Sequence, residues 1–202
     1  TECVSKLTQV EAMKLYGSVT SPFVRRIRVV LSNTPHEFLD LQIFSGEDRE
    51  LLASRNPTLK VPCLEDDGQL IFDSRVIYSY LASKFDHDSL SWEEENLLTL
   101  IDAANDSFVQ LMLLKRSDID INQDKLIIRL QKERIESVFS TLSKQLEAGG
   151  FSGWTYPEIC LYSMVDWVLF RELHSFKDYP LLLEFHEKHR DRIELTATDP
   201  RQ

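Results

Sequence analysis

Two serines stand where helices are about to begin. Ser21 directly precedes Pro22, and Ser74 follows Asp73 at the head of an apolar-periodic stretch. Ser followed by Pro reads as an N-cap and a first helical residue whose missing N–H costs nothing. A helix N-terminus also presents unpaired N–H groups and the positive end of the dipole, which suit an anion. Each serine is therefore open to two readings, a cap or part of an anion-holding site, and at Ser21 the local residues alone favour the cap. Ser18 and Thr20 are further hydroxyls on the loop before Ser21, whereas Tyr16 comes too early, inside a strand. Cys3, Cys63 and Cys160 form an odd set without a CxxC pair, which fits a reducing compartment rather than a disulfide framework. The five histidines contain no HExxH; His186 and His189, three apart, read as surface residues, and no metal site is expected.

The elements around these residues change character half-way along the chain. From Met13 to about residue 84, strand and helix signals alternate. Lys14-Leu15-Tyr16 reads as a short strand ending at Gly17, followed by a helix with Phe23, Ile27, Val30 and Leu31 at helical spacing. Residues 37–43 alternate as a half-buried strand, and a short helix over about 47–54 ends before Asn56-Pro57. Val61–Leu64 reads as a strand, Asp66-Asp67-Gly68 as a tight turn and 70–72 as the return strand. Asp73-Ser74 then opens a helix with Val76, Ile77, Tyr80 and Leu81 on one face. This βαβαββα order implies a mixed sheet covered by helices. Beyond a polar joint at 84–91 the pattern is helical throughout. Ser91 with Glu94 and Thr155 with Glu158 are capping boxes, and a long helix is expected from about 121 to 147, before Gly149-Gly150. Residues 1–12 are expected to be a loose tail.

The bulk composition excludes several classes. A chain of 202 residues with 43% hydrophobic and 28% charged residues is an ordinary globular protein with a substantial core. A net charge of −10 argues against nucleic acid as the main partner, and Arg25, Arg26 and Arg28 read as a solvated helix face. Apolar runs such as 111–114 fall far short of the roughly 20 residues of a membrane span, and no secretory signal is expected.

Three stretches, TSPFVRRIRVVL (20–31), NPTLKVPCLEDDG (56–68) and FDSRVIYSYL (72–81), occur in an order and spacing that resemble the N-terminal domain of bacterial, serine-type glutathione transferases. TYPEICLYSMVDWVLFREL (155–173) is similar to the central helix of that family, and Thr196 with Pro200 to its C-terminal ending. The resemblance runs from about Met13 to the end. It implies a thioredoxin-like βαβαββα domain at 13–86, an α/β unit, followed by an all-α helical bundle at 91–202. Three residues depart from the family pattern: Leu59 where Gly is usual, Asp73 where Glu is usual, and Glu158 where Asp is usual.

The resemblance also implies the chemistry. Glutathione is the co-substrate and no metal is used. A free thiol has a pKa near ~8.5, and each unit of depression needs about 1.4 kcal/mol of preference for the thiolate. A hydroxyl at a helix N-terminus supplies such a preference, which makes Ser21 the implied catalytic residue. Ser21, Phe23, Lys60, Val61, Asp73 and Ser74 would hold glutathione: the Val61 backbone beside a cis-Pro62 pairs with the cysteinyl unit, and the Ser74 hydroxyl with nearby backbone N–H groups takes the γ-glutamyl carboxylate. Arg49 or Lys60 would take the glycyl carboxylate. Phe108 and Met112, with Phe23, are candidates for the pocket of a small hydrophobic electrophile. The expected protein is a cytoplasmic homodimeric glutathione S-transferase of detoxification, with neither nucleic-acid nor membrane partners. The alternatives are a non-enzymatic binding or regulatory protein similar to the stringent-starvation regulator, or a glutathione-dependent thiol reductase or dehalogenase. A serine cannot form the mixed disulfide that thiol exchange requires, which weighs against the reductase.

Overall fold

The computed structural model describes residues 12–202, so Cys3 and all of the expected tail except Ala12 lie outside the described residues. The chain forms two compact units, one running up to His87 and one from Asp88 to Gln202.

The first unit contains β1 (Met13–Gly17), α1 (Pro22–Val30), β2 (His36–Asp40), α2 (Gly46–Arg55), β3 (Cys63–Asp66), β4 (Gln69–Phe72) and α3 (Ser74–Lys84). Its sheet has the order β2-β1-β3-β4, with β1 parallel to β2 and the other neighbours antiparallel. Alternation along the strands gives the sheet two buried faces. Leu15 and Leu64, directly paired, have no exposure and lie on one face. Tyr16 and Cys63 point the other way, into a cluster with Leu41 and with Leu51 and Leu52 of α2. Asp66 closes the hairpin end, accepting hydrogen bonds from Tyr80 (2.7 Å) and from Lys84 of α3.

Several sequence expectations are corrected here. β2 ends at Asp40 rather than residue 43, and β3 starts at Cys63, leaving Val61-Pro62 as a connection. Val76 is exposed, because the buried stripe of α3 runs through Ser74, Ile77, Leu81 and Ala82. Arg25 and Arg26 are buried, not solvated, and the Arg26 guanidinium lies 4.7 Å from the centre of the Phe23 ring.

The second unit is entirely helical: α4 (Trp92–Arg116), α5 (Leu126–Glu147), α6 (Tyr156–Phe170), α7 (Pro180–His189) and α8 (Ile193–Thr196). Both capping boxes form. Ser91 Oγ accepts the Glu94 N–H at 3.2 Å while Glu94 accepts the Ser91 N–H at 2.8 Å, and Glu158 accepts the Thr155 N–H at 3.0 Å. Helix α6 is buried along its whole length from Tyr156 to Val168, as a central helix must be. Helix α4 is long and apolar enough to cross a membrane by length and composition alone. It instead buries Leu98, Ile101, Ala104, Phe108 and Leu111 within this unit, chiefly against α5 and α6. Helix α5 starts at Leu126 rather than 121, since Asp118 has a φ of 58° and Asp120 accepts the Asn122 N–H in a turn. His186 and His189 are not free surface residues. His186 stacks on Tyr162 at 4.8 Å and bonds Asp166 at 2.8 Å, while His189 is buried against Trp154. Burial, with Lys188 and Arg192 nearby, pulls the His189 pKa down.

Candidate functional site

Strand register gathers the first unit's candidate residues at one end of its sheet. Gly17 lies opposite Asp40, Tyr16 opposite Cys63 and Cys63 opposite Phe72. The loop leaving β1, the segment entering β3 and the start of α3 therefore share one edge. That edge carries Ser21, Val61 and Asp73-Ser74.

Ser21 caps α1. Its extended backbone (φ −87°, ψ 126°) sets Oγ to accept the Val24 N–H at 3.3 Å, and its own N–H donates to the Ser18 carbonyl at 2.9 Å. An oxygen that accepts with a lone pair keeps its O–H to donate, so capping and ligand binding do not compete. Neither α1 nor α3 has an acidic residue in its first turn, unlike α2 with Glu47 and Asp48 and α4 with its three glutamates. The positive end of α1 is thus not neutralised by its own side chains, whereas that of α3 carries the Asp73 carboxylate as its cap. Ser18 and Thr20 place their hydroxyl oxygens 3.4 Å apart. Tyr16 is no alternative donor: its hydroxyl donates to Glu65 at 2.5 Å, and burial, reinforced by that bond, raises its pKa to about 12.

The segment from Asn56 to Pro62 is built around a buried amide. Asn56 donates from Nδ2 to the Lys60 carbonyl at 2.8 Å and accepts at Oδ1 from the Thr58 N–H and hydroxyl, both at 2.9 Å. Leu59 has a φ of 58°, the left-handed conformation that explains why Gly is usual there. The Val61–Pro62 peptide is cis. Among the described residues no group pairs with the Val61 N–H or C=O. Arg49 donates from one nitrogen to the carbonyls of Ile43 (3.2 Å) and Leu59 (3.0 Å), bracing this segment. Lys60 is exposed beside it.

At the start of α3, Asp73 has a φ of 75° and caps the helix by accepting the Arg75 N–H at 2.9 Å. Ser74 is buried and Asp73 exposed. Phe23 is half-buried on α1. Phe108 belongs to the core of the second unit, 5.6 Å from Phe139 between ring centres, and Met112 is half-buried one turn further along α4. Cys63, beside the site, is buried, and desolvation raises its thiol pKa to about 11. Sequence reasoning missed Asn56 and Asp40. An Asn just before Pro could have signalled an Asx turn; a lone acid at a strand end gives no signal.

Residues 15–89 match the family model described as the glutathione S-transferase N-terminal domain. The first unit is thus similar over most of its length to the N-terminal domain of glutathione S-transferases. It is 40% identical over 76 residues to glutathione S-transferase F13 of Arabidopsis thaliana, covering 36% of this chain and 35% of that protein. It is 38% identical over 72 residues to the GST-like protein YibF of Escherichia coli K12, covering 34% of this chain and 35% of that protein. The match thus spans about a third of the length of these curated relatives. Solved structures carry the likeness further as fold. A glutathione S-transferase from Methylobacillus flagellatus KT, with glutathione bound, superposes at a TM-score of 0.80 with 24% identity, over 93% of this chain and 98% of that one. A glutathione transferase family member from Pseudomonas fluorescens Pf-5, also with glutathione bound, gives 0.76 at 23% identity over the same shares. The chain therefore has the fold of these structures, a thioredoxin-like domain followed by a helical domain.

Proposed function

We propose that this protein is a glutathione transferase in which the Ser21 hydroxyl stabilises the glutathione thiolate. The observation that carries the reading is the Ser21 cap: an oxygen already paired with Val24, holding a spare proton at an un-neutralised helix N-terminus. The magnitudes suffice. Ionising most of a thiol at neutral pH needs about two units of depression, roughly 2.7 kcal/mol. A hydrogen bond to a charged group contributes about 1.5–3 kcal/mol and the dipole about 0.3–1. The thiol proton leaves to solvent. The thiolate then forms a C–S bond to the electrophilic carbon, whose leaving group departs with the bonding pair.

In this reading the Val61 N–H and C=O pair with the cysteinyl unit, and Asp73, Ser74 and the head of α3 take the γ-glutamyl end. Lys60 takes the glycyl carboxylate, since Arg49 is occupied in bracing Leu59. Phe23 lines the glutathione side. Leu59 and Asp73, the two departures in this unit, both adopt a positive φ, a backbone conformation open to the glycine usual at the first. Dimerisation, a hydrophobic electrophile and a cytoplasmic setting follow from the family, and the free thiols of Cys63 and Cys160 are consistent with a reducing compartment.

Ser21→Ala tests the mechanism. Conjugating turnover at neutral pH should fall about 10- to 100-fold, the equivalent of one to two pKa units. Glutathione affinity should change much less. Turnover that survives intact would remove Ser21 from the chemistry, and failure of the wild-type chain to bind immobilised glutathione would favour the regulatory alternative.

A further inference from the structure

Asp40 ends β2 directly opposite Gly17, the last residue of β1. Its Oδ1 accepts the Val19 N–H at 2.9 Å, and the next residue, Leu41, donates its N–H to the Gly17 carbonyl at 2.6 Å. Two consecutive residues of one chain segment therefore grip the loop on either side of Ser18. The Ser21 N–H closes the same loop on the Ser18 carbonyl at 2.9 Å. Val19 lies two residues before Ser21, so the point at which Val19 is anchored fixes where the Ser21 oxygen emerges from the loop. Asp40 is exposed and lies outside the apolar core clusters, so this bond has little to do for the fold as a whole.

We infer that Asp40 is a positioning residue for Ser21: its carboxylate oxygen pins the Val19 amide and so keeps the Ser21 hydroxyl aimed at the ligand's sulfur. The inference rests on the proposed role of Ser21. Geometry, not charge, is the useful property. A carboxylate near a thiolate repels it and raises its pKa. The field of Asp40 is also felt by the Arg28 guanidinium, which lies over the Phe38 ring on the same strand and partly offsets that repulsion. An amide in place of the carboxylate keeps an oxygen for the Val19 N–H while losing the charge.

The test is the pKa of the glutathione thiol in the full-length protein, read from thiolate ultraviolet absorbance against pH with glutathione saturating. Turnover and thermal unfolding are measured beside it. Asp40→Ala and Asp40→Leu should each raise the thiol pKa by about one unit and lower kcat at neutral pH about tenfold, with KM for glutathione within about twofold. Asp40→Asn should restore both to the wild-type level. A purely structural role would instead lower the unfolding temperature without moving the thiol pKa. An unmoved pKa in Asp40→Ala or Asp40→Leu overturns the inference, and so does an Asp40→Asn as impaired as Asp40→Ala. Ser21→Ala separates the two readings. If it raises the thiol pKa and Asp40→Ala does not, only the positioning role falls; if it leaves the pKa unmoved, both fall.

Discussion

Leu59 has a φ of 58°, a left-handed conformation that costs a residue with a Cβ about 1–2 kcal/mol. Glycine would relieve that strain but bring about 0.5–1 kcal/mol of extra unfolded-state freedom. The Arg49 bond is made to the Leu59 carbonyl and survives the change. Leu59→Gly should therefore stabilise by about 0.5 kcal/mol, a rise of about 1–2 °C in Tm by calorimetry; a fall would mean that the side chain itself is stabilising. Tyr16 gives a pH-dependent counterpart. Its pKa rises from 10.0 to about 12, through burial first and the Glu65 bond second. The fold thus favours the neutral phenol, and the stability this adds is complete below pH 10 and lost as pH climbs through about 12. In Tyr16→Phe, urea titrations across that window should show a shallower loss of stability than in the wild type. An equally steep loss would assign the alkaline sensitivity to Tyr80 and Tyr179, which shift in the same direction.

Helix α1 sits on β1 only because Gly17 has no side chain. A Cβ there would stand 2.5 and 2.8 Å from the two methyl carbons of Val24. Gly17→Ala should cost about 1–3 kcal/mol and tilt α1 away from the loop that holds Ser21. Val24→Ala in the same molecule should recover part of both stability and turnover, and a double variant no better than the sum of the singles would refute this contact. The example also marks what the sequence made readable. Caps and capping boxes at Ser21, Ser91 and Thr155 are written in neighbouring residues, so they could be placed before any packing was known. Helix α5 begins at Leu126 behind Lys125, which makes no capping bond, so nothing local announced its start. The burial of Arg25 and Arg26, the stacking of His186 on Tyr162 and the bracing by Arg49 depend on residues remote in the chain. The grip of Asp40 on Val19 spans 21 positions and left no local trace either.

Each unit closes on a core of its own, and the second draws its last residues into that core. Asp166 on α6 is buried, and it accepts from His186 at 2.8 Å and from Arg201 at 3.0 Å. Arg201 also lies over the Phe170 ring. Breaking a buried pair costs about 3–5 kcal/mol; because Arg201 is partly exposed, Arg201→Met should cost nearer 2 kcal/mol, read as a lower urea midpoint at unchanged m-value. An unchanged midpoint would show that Asp166 does not need Arg201 to be satisfied. Cys63 and Cys160 have a different consequence for the molecule as a whole. Both thiols are enclosed, and Cys63 is held in its unreactive protonated form. A small disulfide oxidant finds no point of attack at these two sulfurs. Each unit is thereby spared covalent capture at its enclosed thiol.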